Sequence, residues 1–329
     1  MKKIYIELVL LFLMLVCTLS GCSMSRDYSE QAIYFDTIIT LNIYGTKDKA
    51  VMDDCLILCD EYEKKFSKTV EGSDVWKINH AEGAWVEVSE ETIDILQEAI
   101  KYSELTEGAF DISIASLTEL WHINDNDGVL PTEEEIQEAM SHVNYQCIQI
   151  DKNRVRLTDE KAQIDLGGIA KGYIADKLDE LMKERGVTSA MINLGGNIKV
   201  VGSKTDGSSW NIGIQKPFAD ENEVLGSVQV RDKTVVSSGI YERYFEYEGK
   251  IYHHILDKNT GAPSESDLQA VTIIGASSTA ADALSTSCLL LGSEKGMGLV
   301  EQIKEVEAVF VKRDGSILES SGVKLERIK

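Results

Sequence analysis

The sequence predicts an α/β protein with α+β character, folded as one large or two intimately joined subdomains. Its 329 residues exceed what one compact core usually holds. A composition of 43% hydrophobic and 27% charged residues is that of an ordinary globular chain, not a disordered one. Segments of helical period alternate along the chain with short runs of period two, and the last third is dominated by the latter.

Lys2 and Lys3 precede an apolar run from Leu8 to Val16 and then Leu19-Ser20-Gly21-Cys22. The run is too short for a comfortable membrane span and has the basic flank and small residues of an export signal. Leu-Ser-Gly-Cys looks like a bacterial lipobox, which implies removal of residues 1–21 and lipidation of Cys22; the alternative is an ordinary cleaved signal with an incidental cysteine. The mature chain would have 329 − 21 = 308 residues, anchored by lipid to the bacterial cell membrane on its extracytoplasmic side. Residues 22–30 read as a polar tether and residues 31–329 as the folded domain.

Within that domain Ile39, Leu41 and Ile43 alternate with polar neighbours, the pattern of a half-buried strand ended by Gly45. A helix from about Asp48 to Phe66 follows, with Met52, Cys55, Leu56, Cys59, Tyr62 and Phe66 along one stripe, so both cysteines read as core residues. Neither they nor Cys147 and Cys288 form a disulfide framework, and no Cys-x-x-Cys exists. After a short strand at Trp85 to Val88, Ser89 is placed to cap the next helix. Gly108-Ala109-Phe110-Asp111 offers a tight backbone, an aromatic face and a carboxylate; read alone it is better taken as a helix-to-strand turn with a core Phe. Thr132 and Glu135 have the spacing of a capping box.

Asp165-Leu166-Gly167-Gly168 closes a strand-like run and leads at once into an amphipathic helix ending at Gly186. The first N–H groups of a helix lack internal partners and sit at the positive end of its dipole, so this junction has the form of an anion site. A carboxylate beside a bound phosphate invites a hard cation such as Mg2+. A plain glycine turn is the equal alternative. The spacing is neither Gly-x-Gly-x-x-Gly nor a P-loop, so a dinucleotide Rossmann crevice or a P-loop is not supported. A strand over Thr188–Asn193 follows, and Leu194-Gly195-Gly196-Asn197 reads as a hairpin turn or a second backbone approach to a ligand.

Strand patterns then run over Trp210–Gln215, Gly226–Val230, Thr234–Ser238, Tyr244–Tyr247 and Val271–Ile274. His253 and His254 are adjacent on a strand, so they point to opposite faces and would not both ligate one metal; one is a candidate site residue, and a structural histidine is the alternative. In the final long helix, Ser278 or Thr279 is placed to cap, Leu284, Cys288 and Leu291 form the buried stripe, and Gly292 stops it. Asp282 and Thr286 stand one turn apart, a carboxylate and a hydroxyl able to hold an oxygen-loving cation from one side; alone they equally make a polar helix face.

Taken together from Tyr34 to the C-terminus, these motifs resemble the ApbE family of FAD:protein FMN transferases. The resemblance is carried by Phe66-Ser67, Gly108 to Ile112, Asp165 to Gly172, Asn193 to Gly196, Ser238-Gly239-x-Tyr241-Glu242-Arg243, His254 to Asp257 with Thr260-Gly261, and Ala281 to Thr286. One departure is Lys258, where the family usually has proline. The resemblance implies a T-fold-like α/β architecture of two interlocked subdomains. It implies that FAD, the substrate, lies against Phe35, Ala109, Phe110 and Asp111 and is contacted by Asp165, Lys171, Leu256 and Ser285. Mg2+ would take the carbonyl of Gly168 and the side chains of Asp282 and Thr286, and His254 would assist loss of the acceptor's proton. The acceptor would be an exported redox protein carrying Asp-x-x-Ser/Thr-Gly-Ala-Ser/Thr, and AMP would leave. The chain's own near copy, Asp257 to Pro263, has proline where the acceptor hydroxyl would stand. A Mg2+-dependent FAD pyrophosphatase and a non-catalytic flavin-binding lipoprotein are the competing readings.

A formal charge of −22 with a pI near 4.6 argues against nucleic acid as a partner. The same charge requires local neutralisation around any anionic ligand.

Overall fold

A computed structural model describes residues 26–123, 128–220 and 223–327. Cys22 and the export segment lie outside the described residues.

The chain opens on a hairpin of β1 (Arg26–Tyr34) and β2 (Thr37–Thr46). Phe35 and Asp36 between them both have φ near +55°, the left-handed pair that a two-residue turn between twisted strands requires. Residues 26–30, expected as tether, are therefore strand. Their side chains are mostly exposed, as at an edge strand paired through its backbone, so no apolar alternation marks them.

Helix α1 (Ala50–Phe66) buries Met52, Cys55, Cys59, Tyr62 and Phe66 as its stripe predicts. Next come α2 (Asp74–Asn79), β3 (Val86–Glu87), α3 (Glu90–Leu105) and α4 (Ala115–Trp121). Ser89 does cap α3, accepting from the Thr92 amide. The expected strand at Trp85–Val88 is limited to Val86–Glu87, and Trp85 just before it stacks beneath Arg154 and Arg156. Helix α5 (Glu133–Ser141) begins with the Thr132–Glu135 capping box. Strands β4 (Ile148–Asp151) and β5 (Arg154–Leu157) complete a small sheet with β3.

Helix α6 (Ala170–Glu184) leads into the hairpin β6 (Ser189–Leu194) and β7 (Asn197–Gly202), so Gly195-Gly196 is the predicted turn. Then follow β8 (Trp210–Gln215), β9 (Val224–Val230), β10 (Thr234–Gly239), β11 (Tyr244–Tyr247) and β12 (Lys250–His253). The short pair β13 (Leu256–Asp257) and β14 (Ala262–Pro263) precedes β15 (Leu268–Gly275). Helix α7 (Ser278–Val300) is broken at Gly292, which has φ +80°, and β16 (Glu307–Lys312), β17 (Ile317–Glu319) and β18 (Glu326–Arg327) end the chain. The cap of α7 is Ser277, one residue earlier than expected; Ser278 and Thr279 instead bond through their amides to Asp176.

Eight strands form one sheet in the order β1-β2-β6-β7-β10-β15-β16-β17, and every neighbouring pair is antiparallel. The α+β side of the expectation is thus the one realised. Alternate residues of the sheet feed two cores, as the period of two demands. Val201, Val236 and Ile273 join the helices in the main core, while Val200, Val235 and Ile274 pack against Trp210, Ile212 and Val228 of the β8–β9–β18 sheet. A third, smaller cluster gathers Leu117, Trp121 and Ile123 around Leu256.

Candidate active site

A cleft of about 960 Å³ opens where the starts of α6 and α7 meet the end of β10 and the segment after β12. It brings together nearly every residue singled out from the sequence. Phe35, Ala109, Phe110, Asp111, Asp165, Gly168, Lys171, His254, Leu256, Asp282 and Thr286 all line it. Ser285 does not. It is fully buried one turn behind, bonded to Asp282 O at 2.9 Å and to Ser238 Oγ at 2.7 Å, and reaches the cleft only through Ser238.

The double glycine is tighter than a ligand approach alone would need. A Cβ on Gly168 would stand 3.1 Å from the Phe110 ring, and one on Gly167 would stand 3.0 Å from Asp165 Oδ1. Phe110, 4% exposed, is thus both a core residue and part of the cleft wall. The run before Asp165 is not a strand; Gln163 makes an isolated parallel bridge to Ile114, and the helix begins only at Ala170.

The start of α6 is an anion site whose first occupant is the protein's own carboxylate. The Ala170 amide bonds to Leu166 O at 2.8 Å, and the Gly172 amide donates to Asp282 Oδ2 at 2.8 Å. Helix ends favour this because their N–H groups have no internal partner. Burial raises the pKa of Asp282, against the opposing pull of Lys171 and the Gly172 amide. Thr286 Oγ1 lies near the Gly168 backbone, 3.7 Å from where a Cβ on that glycine would be.

Asp165 is held by a cation that sequence reading missed. Lys68 Nζ lies 3.0 Å from Asp165 Oδ2 and donates to Thr118 Oγ1 at 2.9 Å. Burial alone would raise the Asp165 carboxyl, but Lys68 and the Gly167 amide reverse the direction and lower it. Lys68 carries no local signal, since its partner is far away in sequence.

Glu242 and Arg243, quoted in a motif without roles, also line the cleft, as does Asn197. Enclosure by the cleft raises the Glu242 carboxyl to about 7 although the side chain faces open space, with Lys171 and Arg243 pulling the other way. The two histidines separate as predicted. His253 is buried, its Nε2 bonded to Ser264 O at 3.0 Å. His254 follows the end of β12 and is partly open to the cleft. Its Nδ1 lies 3.3 Å from the Arg243 carbonyl, and because a carbonyl only accepts, Nδ1 carries the hydrogen and Nε2 keeps its lone pair. Desolvation deep in the cleft, followed by Arg243, pushes the imidazole down to about 3.

Among the described residues, no group of three or more His, Cys, Asp or Glu side chains could hold a metal, and no helix is long and apolar enough to cross a membrane.

The cleft can be compared with known proteins. The profile described as the ApbE family matches residues 35–310. The FAD:protein FMN transferase of Klebsiella pneumoniae is 35% identical over 304 residues, covering 92% of this chain and 94% of that protein. That of Treponema pallidum is 31% identical, covering 96% and 94%. The crystal structure of the ApbE protein from Thermotoga maritima superposes with a TM-score of 0.83 at 33% identity, covering 90% of this chain and 97% of that one. The family match over residues 35–310 includes every segment that lines the cleft, and the chain belongs to the ApbE family.

Proposed function

We propose that this chain is an FAD:protein FMN transferase that moves the FMN half of FAD to a Ser or Thr hydroxyl of an exported protein. The observation that carries the reading is the convergence of His254, Lys171, Arg243, Asp282 and Thr286 on one cleft, together with relatives that bear this activity in their names.

The acceptor oxygen forms a bond to the FMN-side phosphorus, the bond from that phosphorus to the bridging oxygen breaks, and AMP leaves with that oxygen. Nε2 of His254 takes the hydroxyl proton, while the Arg243 carbonyl holds the ring through Nδ1. Lys171 and Arg243 face the pyrophosphate charge that the acidic surface would repel. Ala109, Phe110 and Phe35 supply an apolar wall for the isoalloxazine, and Asp165 and Leu256 border the nucleotide.

An all-oxygen donor set, the Gly168 carbonyl, the Asp282 carboxylate and the Thr286 hydroxyl, fits a hard cation such as Mg2+. Among the described residues the buried Asp282 carboxylate has no ion-pair partner within 4 Å, Lys171 acting on it only from farther away, and this supports that fit. When bound, the cation would neutralise the pyrophosphate and polarise its oxygens. One carboxylate makes a weak site, so FAD phosphates are needed to complete it and the two ligands strengthen one another. Calorimetry tests this: Mg2+ should tighten FAD binding to the native chain and leave Asp282→Ala, still folded, unaffected. Equal Mg2+ effects on both proteins would remove Asp282 from the site.

We also propose lipid anchoring at Cys22, on the strength of Leu19-Ser20-Gly21-Cys22 behind an apolar export segment. One acyl chain binds a membrane only marginally, so at least two are expected. Retention of Cys22→Ser in the membrane fraction with unchanged lipid labelling would refute it.

A further inference from the structure

Lys258 has no part in the chemistry above and does not itself line the cleft, yet it is tied to a residue that does, Asp111. Lys258 follows β13, shortly after His254, and its Nζ donates to Asp111 Oδ2 at 3.0 Å, with the two side chains 19% and 1% exposed. The ammonium stands 5.7 Å from the centre of the Tyr145 ring. It also occupies the space beside Gly108, where a Cβ would come within 2.5 Å of it.

Asp111 has no acceptor capacity to spare. Its Oδ1 takes the Ser113 amide at 3.0 Å and hydroxyl at 2.6 Å, and its Oδ2 takes the Tyr145 amide at 3.1 Å and Lys258. Those four contacts fill the roughly four lone-pair sites of a carboxylate. The side chain is therefore committed within the protein.

We infer that Lys258 and Asp111 staple two walls of the cleft together, which makes Lys258 a positioning residue for FAD; the inference rests on the flavin-transferase reading. One wall is the Gly108–Asp111 loop with Ala109 and Phe110; the other is the segment carrying His254 and Leu256. Trp121 Nε1 holds the far end of the same turn by donating to Gly261 O at 2.7 Å, so the ion pair governs the end nearest the flavin wall. Removing Lys258 leaves a buried carboxylate uncompensated and lets the walls part. FAD then binds only the fraction in which the walls are closed, and its apparent affinity falls by that fraction.

The test is titration of FAD fluorescence with protein in the presence of Mg2+, using the native chain, Lys258→Met and Lys258→Met/Asp111→Asn. Removing both charges relieves the buried-charge penalty, and the remaining amide oxygen at position 111 keeps the bonds from Ser113 while the Tyr145 amide loses its acceptor, so the double variant should melt above Lys258→Met and somewhat below the native chain. Both variants should bind FAD about tenfold more weakly than the native chain. A double variant with native FAD affinity overturns the staple, as does a loss of binding that only tracks the unfolded fraction seen by near-UV circular dichroism. A native chain that binds no FAD would instead defeat the flavin-transferase reading.

Discussion

The backbone amide of Gly172 donates to Asp282 Oδ2 at 2.8 Å, and the two helices that carry these residues approach so closely that no side chain fits at position 172. A Cβ there would lie 2.2 Å from Ser278 O and 2.7 Å from the Cβ of Asp282. Asp176 locks the same junction from behind, accepting from the amides of Ser278 and Thr279 at 2.8 and 2.9 Å. The carboxylate offered to a cation is thus placed by backbone packing between α6 and α7.

Gly172→Ala should therefore be costly out of proportion to one methyl group. Overpacking of this kind destabilises by about 3 kcal/mol, and displacement of Asp282 should lower transfer activity about a hundredfold. Denaturant titration together with a transfer assay measures both, and native activity in a folded Gly172→Ala would show that the close approach is dispensable.

His254 should act as a base and not as a binding group. Its ring should stay neutral in the free protein from pH 8 down to pH about 5, because desolvation and Arg243 hold its pKa near 3. His254→Ala should lower kcat by about two to four orders of magnitude and leave FAD affinity nearly unchanged. NMR titration of the labelled ring follows the first effect; a midpoint near 6.5 in the free protein would contradict it.

His253 predicts a stability effect with a definite sign. Burial lowers its pKa from 6.5 to about 4 in the folded chain, so the unfolded chain takes up the proton first. The stabilisation is complete above pH 6.5 and is lost as pH falls toward 4, by on the order of 3 kcal/mol at most. Replacing His253 with Asn should flatten the fall in melting temperature across that window while leaving kcat within a few-fold of native. An unchanged pH profile in that variant would assign the fall to other groups.

Pro263 closes the near copy of the acceptor pattern, and it is buried where β14 pairs with Leu256 of β13. A hydroxyl placed there remains out of reach, so Pro263→Ser should acquire no FMN. Intact-mass measurement after incubation with FAD and Mg2+ checks this, and an adduct on Ser at that position would show that the segment opens.

Much of this site could be read from the sequence because its residues sit on periodic elements. Asp282 and Thr286 share a helix face, and His253 and His254 divide between two faces of a strand end, so spacing alone places them. The capping box at Thr132 and the Gly195-Gly196 turn are local for the same reason. What escaped was non-local. Lys68 reaches Asp165, and Lys258 reaches Asp111, across long stretches of chain that only folding closes. The edge strand over residues 26–30 was hidden because its partner is the backbone of β2, which leaves no imprint on side-chain pattern. Gly172 carries no local mark of its role, because the atoms it must clear belong to α7.

The central claim is tested most directly by incubating the native chain with FAD, Mg2+ and a peptide bearing Asp-x-x-Thr-Gly-Ala-Thr, then recording the peptide's mass and the nucleotides released. Transfer predicts one FMN on the final threonine with one AMP released for each adduct, and no adduct on this chain. Unmodified peptide alongside steady release of free FMN and AMP would contradict it and identify the protein as an FAD pyrophosphatase.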